Sequence, residues 1–217
     1  MQINSDFSKP ALARASEGAF VPSPLPGVER RMLDRIGGEV ARATTIVRYA
    51  AGSRFDAHKH DFGEEFFVLD GVFSDASGDF PAGTYVRNPP GSSHAPWSAE
   101  GCTIFVKLRQ FQDGDSARVV ADATKAEGWT GNGAAETFAL HEYGEEKVFM
   151  LRLAAGVLEA RELPGGAEFL MIEGAATING ETLSPRDWMR LPRGSTAKLS
   201  TAPGALFYVK TGHLAAG

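Results

Sequence analysis

The sequence predicts an all-β protein built from two tandem domains, and three observations lead to this prediction. Long helical periodicity is nearly absent from the 217 residues. Short runs of β-branched and aromatic residues, bounded by Gly, Pro, Asp or Asn, recur along the chain and are typical of strands. The chain also repeats itself at an offset of 103 or 104 residues. Many short strands at close spacing favour a β-sandwich or a β-barrel.

The composition excludes several classes of protein. Hydrophobic residues make up 43% and charged residues 23%, as in ordinary folded proteins, and the net charge of -5 argues against a protein that coats nucleic acid. The single cysteine, Cys102, excludes a disulfide framework and a multi-cysteine zinc module. No apolar run is long enough to span a membrane, and residues 1–10 lack the pattern of a secretory signal. We therefore expect a cytoplasmic protein without a membrane partner.

Strand and turn signals follow one another along most of the chain. The predicted strands lie at residues 43–49, 65–69, 103–108, 147–153, 169–172 and 205–209. Asn179-Gly180 predicts a hairpin, because a type I′ turn needs positive φ at both central residues. The strongest helical candidate, residues 117–127, is rich in Ala but short, and predicts no more than a turn of helix.

The internal repeat defines the domains. The matched pairs are Ala50-Ala51-Gly52 with Ala154-Ala155-Gly156, Phe66 with Phe169, Gly71 with Gly174, Pro81 with Pro185, Gly91-Ser92 with Gly194-Ser195, and Val106-Lys107 with Val209-Lys210. A repeat of this length indicates a duplicated domain. It predicts domains at residues 1–112 and 134–217, joined by a Gly-rich linker at 113–133.

Three of the five histidines lie in two short motifs of the first copy. The motifs read Gly52-x5-His58-x-His60-x3-Glu64-x6-Gly71 and Gly83-x5-Pro89-x-Gly91-x2-His94-x3-Ser98. On a strand, His58 and His60 project from the same face. Glu64 follows a plausible turn and can swing back toward them, and His94 follows a rigid turn. Three imidazoles and one carboxylate that converge in this way predict a site for a first-row transition metal.

These two motifs resemble the signature motifs of the cupin superfamily. Every spacing agrees, and the one departure is Ser98, where the family usually has Asn. The string from Glu64 to Pro96 is similar to the ChrR-like branch, which includes the cupin domain of zinc-dependent anti-sigma factors and metal-dependent dioxygenases that cleave carbon–carbon bonds. The resemblance implies two tandem jelly-roll, RmlC-like β-barrels, of which the second is degenerate. It implies the metal ligands His58, His60, Glu64 and His94.

The repeat also helps to separate the two adjacent glutamates. Aligning Gly71 with Gly174 places Ala167 opposite Glu64 and Glu168 opposite Glu65. The positions opposite the three histidines are Arg161, Leu163 and Ala197. The acid that is lost together with the histidines is Glu64, so we predict that Glu65 is structural or faces solvent. The second domain should bind no metal through these positions.

Other polar residues are interpreted less specifically. His141 and His213 lack a motif and are predicted to be surface or packing residues. Strand alternation places Lys107 on a wet face, so Cys102 should point inward as a buried, inert thiol; a redox-sensing thiol is the alternative.

The resemblance leaves two functions open. One is a sensory or regulatory protein of the oxidative stress response, with one divalent ion, zinc first and iron, manganese or nickel as alternatives. The other is a metal-dependent dioxygenase that acts on a small diketone or hydroxyketone. In either case we expect a small molecule or oxidative signal in the first barrel, with a protein partner or a homodimer as further options. A sigma factor is doubtful as the partner, because the cysteine–histidine sigma-binding module is absent from this sequence. No catalytic residue and no organic cofactor is assigned.

Overall fold

The computed structural model describes residues 1–38 and 40–214, and their regular secondary structure is almost entirely β. The strands of the first half are β1 (Gln2–Ile3), β2 (Ala11–Ala13), β3 (Val21–Pro22), β4 (Val28–Gly37), β5 (Ala41–Tyr49), β6 (Ser53–Arg54), β7 (His58–Lys59), β8 (Glu64–Asp75), β9 (Gly78–Pro81), β10 (Thr84–Asn88), β11 (Ser93–His94), β12 (Trp97–Ser98), β13 (Cys102–Leu108) and β14 (Val119–Asp122). Those of the second half are β15 (Trp129–Gly131), β16 (Ala135–Tyr143), β17 (Glu146–Leu153), β18 (Leu158–Leu163), β19 (Ala167–Gly174), β20 (Ala176–Ile178), β21 (Glu181–Leu183), β22 (Trp188–Leu191), β23 (Ser195–Ser200) and β24 (Ala205–Thr211). One 3₁₀ turn covers Ala126–Gly128, and no helix among the described residues is long and apolar enough to cross a membrane.

The chain divides into two compact units that do not follow the predicted domain bounds. The first unit comprises Met1–Ser5 and Ala19–Thr124, and the second comprises Asp6–Gly18 and Lys125–Gly217. The early strand β2 groups with the second unit because it pairs with β22. Strand β14 lies in the predicted linker at 113–133 but pairs with β10, so the first unit extends past residue 112.

The two units share one strand order, as expected for a duplication. The main sheet of the first unit runs β1-β4-β5-β13-β8-β10-β14, and that of the second runs β15-β16-β17-β24-β19-β22-β2. Every neighbouring pair in both sheets is antiparallel. A smaller group of strands accompanies each main sheet: β6, β7, β9, β11 and β12 in the first unit and β18-β23-β20-β21 in the second.

A glycine bends the long strand β8 so that it serves both groups of strands. The first half of β8 pairs with β13 and β10, and its last residues pair with β9 and β12. The bend falls at Gly71, whose φ is +70° and whose missing Cβ would lie 2.1 Å from the carbonyl oxygen of Gly101. Gly174 in β19 has φ +79° and the same approach, 2.1 Å, to Gly204. Only glycine fits both positions.

Two local predictions are wrong. Residues 117–127, predicted to form no more than a turn of helix, contain the strand β14 and the first part of the 3₁₀ turn. The reason is that Val119 and Val120 pair with Arg87 and Val86 at the edge of the main sheet, and this pairing overrides the helical propensity of the alanines. The predicted wet face of β13 is buried, since Lys107 is only 1% exposed and its ammonium donates to Thr44 Oγ1 at 2.8 Å.

The first unit has a core of buried, mostly apolar side chains. It contains Val28, Val47, Tyr49, Phe66, Val68, Phe73, Phe80, Val86, Cys102, Ile104 and Val106. The thiol of Cys102 is buried, which confirms its predicted inward orientation, and burial raises its pKa. The Cys102 thiolate is therefore disfavoured, and the thiol is poorly suited to redox chemistry.

Candidate metal centre

A two-stranded ribbon brings the two histidine motifs together. His58 in β7 and His94 in β11 are directly opposite each other in an antiparallel pair. Opposed residues of such a pair project from one face, so their imidazoles are neighbours. His60 follows β7, and two backbone hydrogen bonds hold it against the second motif. Its backbone N–H donates to the carbonyl of Ser92 at 2.9 Å, and its carbonyl accepts from the backbone N–H of Gly91 at 2.8 Å.

The three imidazoles form a tight cluster. The ring centroids are 5.0 Å apart for His58 and His60, 4.9 Å for His58 and His94, and 4.7 Å for His60 and His94. One ring nitrogen from each histidine lies within 4.8 Å of the other two. The structure thus brings together the three histidines that the sequence analysis selects.

Glu64 joins this cluster from the first position of β8. Its Oε2 lies 3.5 Å from Nε2 of His60 and 3.5 Å from Nε2 of His94. The side chain of Glu64 is 10% exposed. A carboxylate oxygen and two imidazole nitrogens therefore point at one small volume.

The donor atoms fit a metal ion. Nε2 of His60 and Nε2 of His94 are buried and, among the described residues, have no hydrogen-bond partner. Buried polar atoms in proteins are nearly always satisfied, so two such nitrogens facing one carboxylate call for a group that accepts their lone pairs. Three neutral imidazoles and a carboxylate suit zinc, iron, manganese and nickel alike.

The outer nitrogens of the three rings are all engaged by the protein. Nδ1 of His58 lies 3.0 Å from the carbonyl oxygen of Asp56, and Nδ1 of His60 lies 3.2 Å from Ser92 Oγ. Nδ1 of His94 lies 3.0 Å from Oδ2 of Asp75. Partners of this kind orient an imidazole and leave Nε2 as the free ligand atom. The sequence analysis does not assign Asp75 or Ser92, since neither motif marks them.

Burial keeps the inner histidines neutral. Burial, with a smaller effect from His58, lowers the pKa of His60 to about 4. Burial also lowers the pKa of His94, against the opposing influence of Glu64 and Asp75. Burial raises the pKa of Glu64, although His94 and a hydrogen bond from Asn88 counteract this effect. At neutral pH, His60 and His94 are thus in the unprotonated form that binds metals.

The cluster lies at the wall of a cavity of about 500 Å³ in the first unit. Its apolar lining includes Leu25, Val28, Val47, Tyr49, Phe55, Ile104, Val106 and Leu108. All four predicted ligands also line it. A small organic molecule therefore has both room and an apolar surface beside the imidazoles.

The positively charged side chain of Arg109 also lines this cavity. The guanidinium of Arg109 stacks 4.1 Å from the ring centroid of Phe62, and Arg109 has the unusual φ of +59°. The backbone N–H of Arg109 donates to the carbonyl of Gly63 at 3.0 Å. A positive φ in a non-glycine residue is costly and often marks a functional position. The structure thus holds the positive charge of Arg109 at the cavity wall. Neither histidine motif includes Arg109, so the sequence analysis does not assign it.

Glu65 lies on the opposite face of β8 and has a different role. Its Oε2 accepts from the hydroxyl of Tyr85 at 2.6 Å and from Nη1 of Arg87 at 2.6 Å. The other Arg87 amino group donates to Asp115, and the guanidinium stacks on Phe111. Glu65 is 1% exposed, so it is structural and does not face solvent.

The second unit has packing residues where the first has candidate ligands. Leu163, Ala167 and Ala197 are buried in its apolar core and offer no ligand atoms. Arg161 pairs with Glu159 at 2.5 Å. His213 packs as predicted, with Nε2 2.7 Å from Oε1 of Glu168.

Comparison with known families identifies the domain that holds this centre. Residues 8–112 match the family model described as the ChrR Cupin-like domain. The chain carries a ChrR cupin-like domain. The resemblance inferred from the two motifs is thereby confirmed, and the match includes all four predicted ligands of the ChrR cupin-like domain. No curated protein sequence matches the chain.

Solved structures extend the similarity of fold beyond the ChrR cupin-like domain. A protein of Nostoc punctiforme, provisionally named a dioxygenase, has a TM-score of 0.78 at 14% identity, covering 97% of this chain and 85% of that one. Pirin YhhW of Escherichia coli, solved with nickel(II), has a TM-score of 0.72 at 13% identity, covering 95% and 100%. A variant of Bacillus subtilis oxalate decarboxylase has a TM-score of 0.66 at 12% identity, covering 95% and 78%. These likenesses show a shared fold.

Proposed function

We propose that the first unit is a metal-dependent dioxygenase site in a bicupin, a chain of two tandem jelly-roll β-barrels. One divalent ion would be held by His58, His60, Glu64 and His94. The observation that carries this proposal is the cavity of about 500 Å³ that the four ligands line. Structural metal sites are closed by protein ligands, whereas catalytic sites keep an open position for substrate.

The residues of the cavity suggest the kind of substrate. Aromatic and aliphatic side chains such as Tyr49, Phe55 and Ile104 would exclude water and hold an apolar carbon skeleton. Arg109 would orient an oxygen-bearing, negatively charged group such as an enolate. A bound redox-active metal would polarise substrate oxygens and activate O₂. We infer a small diketone or hydroxyketone, cleaved at a carbon–carbon bond with O₂ as the oxidant.

Oxygen uptake tests this proposal. The metal-free protein would be loaded with Fe(II) without air and then mixed with pentane-2,4-dione and O₂. We expect O₂ consumption by the Fe(II)-loaded protein and none by the zinc-loaded protein or by His94→Ala. Tight Fe(II) binding without O₂ consumption, for this diketone and for a hydroxyacetophenone, would count against the enzyme.

A sensory role in the oxidative stress response is the second candidate, supported by the match to the ChrR Cupin-like domain over residues 8–112. In that case zinc would be the resident ion. The donor set weakens this reading, because it contains no cysteine and the lone thiol, Cys102, is buried. An oxidant could not release the metal by oxidising a thiolate ligand. Zinc in protein purified under air, released by hydrogen peroxide, would favour the sensor.

A further inference from the structure

A chain of hydrogen bonds outside the cavity connects two of the candidate ligands through one arginine. We propose that Arg118 is a positioning residue: through Asn88 it fixes the direction of the hydrogen bond to Glu64, and through Ser77 it supports Asp75, the partner of His94. This inference rests on the metal binding proposed above. The sequence analysis places Arg118 in the linker, away from either motif.

Strand pairing explains how Arg118 reaches the site. Arg118 directly precedes β14, which pairs with β10 in the register Val119 with Arg87. Asn88 is the last residue of β10 and pairs with Glu64 across the next strand. Consecutive strands β14, β10 and β8 thus place Arg118, Asn88 and Glu64 side by side.

The first arm of the chain leads from Arg118 to Glu64. Nη1 of Arg118 donates to Oδ1 of Asn88, and Nδ2 of Asn88 donates to Oε2 of Glu64 at 3.2 Å. A guanidinium has donors and no acceptor. Asn88 must therefore turn its oxygen toward Arg118 and its amide N–H toward Glu64, which leaves Glu64 as the acceptor.

The second arm leads from Arg118 to His94. Nη2 of Arg118 donates to Ser77 Oγ at 2.8 Å, so the single hydroxyl proton of Ser77 is free for Asp75 Oδ1, at 2.5 Å. The backbone N–H of Ser77 donates to the same oxygen at 2.7 Å. Oδ2 of Asp75 then accepts from Nδ1 of His94 at 3.0 Å.

One consequence concerns the tautomer of His94. A carboxylate oxygen can only accept, so Nδ1 of His94 carries the ring proton and Nε2 carries the lone pair. That Nε2 is the buried nitrogen 3.5 Å from Oε2 of Glu64. Without Arg118, the amide of Asn88 can flip and turn its oxygen toward Glu64, and the hydroxyl of Ser77 loses the donor that directs it. Asp75 still accepts from Nδ1 of His94 and is still held by the N–H of Ser77, so the effect on Glu64 is the larger one. The side chain of Arg118 is itself exposed, so its loss should leave the fold intact.

The sign of the effect separates this inference from simple electrostatics. Removing a positive charge near a cation site should strengthen cation binding if only Coulomb's law acts. Loss of a positioning residue behind a ligand instead weakens binding, typically by about 10- to 100-fold. We expect Arg118→Met to weaken Zn²⁺ and Co²⁺ binding by about 10-fold, and Arg118→Lys, which keeps a donor, to recover part of that loss.

Arg48→Met is the matched control. Arg48 also lies in the first unit, is half exposed, stacks 4.0 Å from the Phe20 ring centroid and pairs with Glu29 at 3.5 Å. It contacts none of the four ligands, and its loss changes the net charge equally. We expect unchanged or slightly tighter metal binding and an unchanged visible spectrum of bound Co²⁺.

Nitrogen-15 NMR of the metal-free protein provides a second readout that does not depend on metal binding. The side-chain amide of Asn88 should give one pair of resonances at the same shifts in the wild type and in Arg48→Met, and a shifted or exchange-broadened pair in Arg118→Met. His94 should show the Nδ1–H tautomer in all three, because Asp75 is unchanged. Failure of the wild type to bind any metal would overturn the proposed function while this spectrum still tests the network. Wild-type affinity and unchanged Asn88 amide resonances in Arg118→Met would overturn the role of Arg118.

Discussion

Two adjacent glutamates should respond to the same substitution in opposite ways. Glu64 and Glu65 are neighbours in β8 and therefore project from opposite faces. Glu64 faces the imidazoles of His60 and His94, whereas Glu65 accepts hydrogen bonds from Tyr85 and Arg87. We predict that Glu64→Gln impairs metal binding and leaves folding intact, and that Glu65→Gln does the reverse.

The expected magnitudes follow from the contacts of each side chain. Removing one partner of a buried ion pair costs about 3–5 kcal/mol. Because Arg87 keeps a second carboxylate, that of Asp115, the cost of Glu65→Gln should lie near the lower end, about 3 kcal/mol. For a chain of this size, each kcal/mol lowers Tm by about 2–4 °C, so Tm should fall by about 6–12 °C.

Glu64→Gln should change the metal-free protein little. Burial already disfavours the charged form of Glu64, and the new amide oxygen can still accept from Asn88. We expect the unfolding free energy of the metal-free protein to change by less than about 1 kcal/mol. Loss of a charged ligand should weaken metal binding more than the 10- to 100-fold typical of residues behind the ligands, roughly 100-fold or more.

The assay combines thermal unfolding of the metal-free variants, followed by circular dichroism, with Zn²⁺ titration against a competing chelator. Glu168→Gln, at the equivalent position of the second unit, is the control, since it should lower Tm without changing Zn²⁺ affinity. If Glu65→Gln abolished metal binding at an unchanged Tm, the assignment of the two acids would be reversed and the argument from strand alternation refuted.

The remaining predictions concern stoichiometry, acid, and the cavity. Elemental analysis should give one metal per chain, and His94→Ala should abolish most of that binding; two ions held at ligand sites would contradict the argument. Metal-free protein should lose stability as the pH falls from about 6.5 toward about 4, because the unfolded chain protonates His60 while the folded chain, with a His60 pKa of about 4, does not. Urea unfolding across this range checks the sign, and His60→Gln should flatten the slope. Arg109→Ala should weaken binding of benzoate but not of benzyl alcohol, as measured by calorimetry; an equal loss for both would show that Arg109 acts only through packing.

The spacing of polar and glycine residues indicated which side chains the fold brings together. The intervals between His58, His60, Glu64 and His94 correctly indicated side chains that converge, because a two-stranded ribbon and the start of β8 are local structures. The repeat likewise matched Gly71 with Gly174, and both have positive φ at equivalent positions of β8 and β19. These features depend on backbone geometry, which short sequence patterns specify directly.

Short sequence patterns do not predict contacts between distant segments of the chain. In an argument from strand alternation, a charged side chain is taken to face solvent. Lys107 and Glu65 are nevertheless both about 1% exposed. Their burial depends on partners such as Thr44 and Arg87, brought in by neighbouring strands. Arg118 was missed for the same reason: its contacts with Asn88 and Ser77 span 30 and 41 residues.

The two copies show which charges belong to the fold and which to the chemistry. In the first unit, Glu65 is directly opposite Arg87 on one side and Lys107 on the other. In the second, Glu168 is opposite Arg190 and Lys210 in the same register, and all six side chains are buried. This arrangement persists in a unit whose ligand positions hold Arg, Leu and Ala, so no bound ion is needed to retain it. Strand alternation places these buried charges on the opposite face of β8 and β19 from the ligand positions. Residues on the inner face can therefore change between ligands and apolar side chains while the charges on the outer face continue to stabilise the sheet.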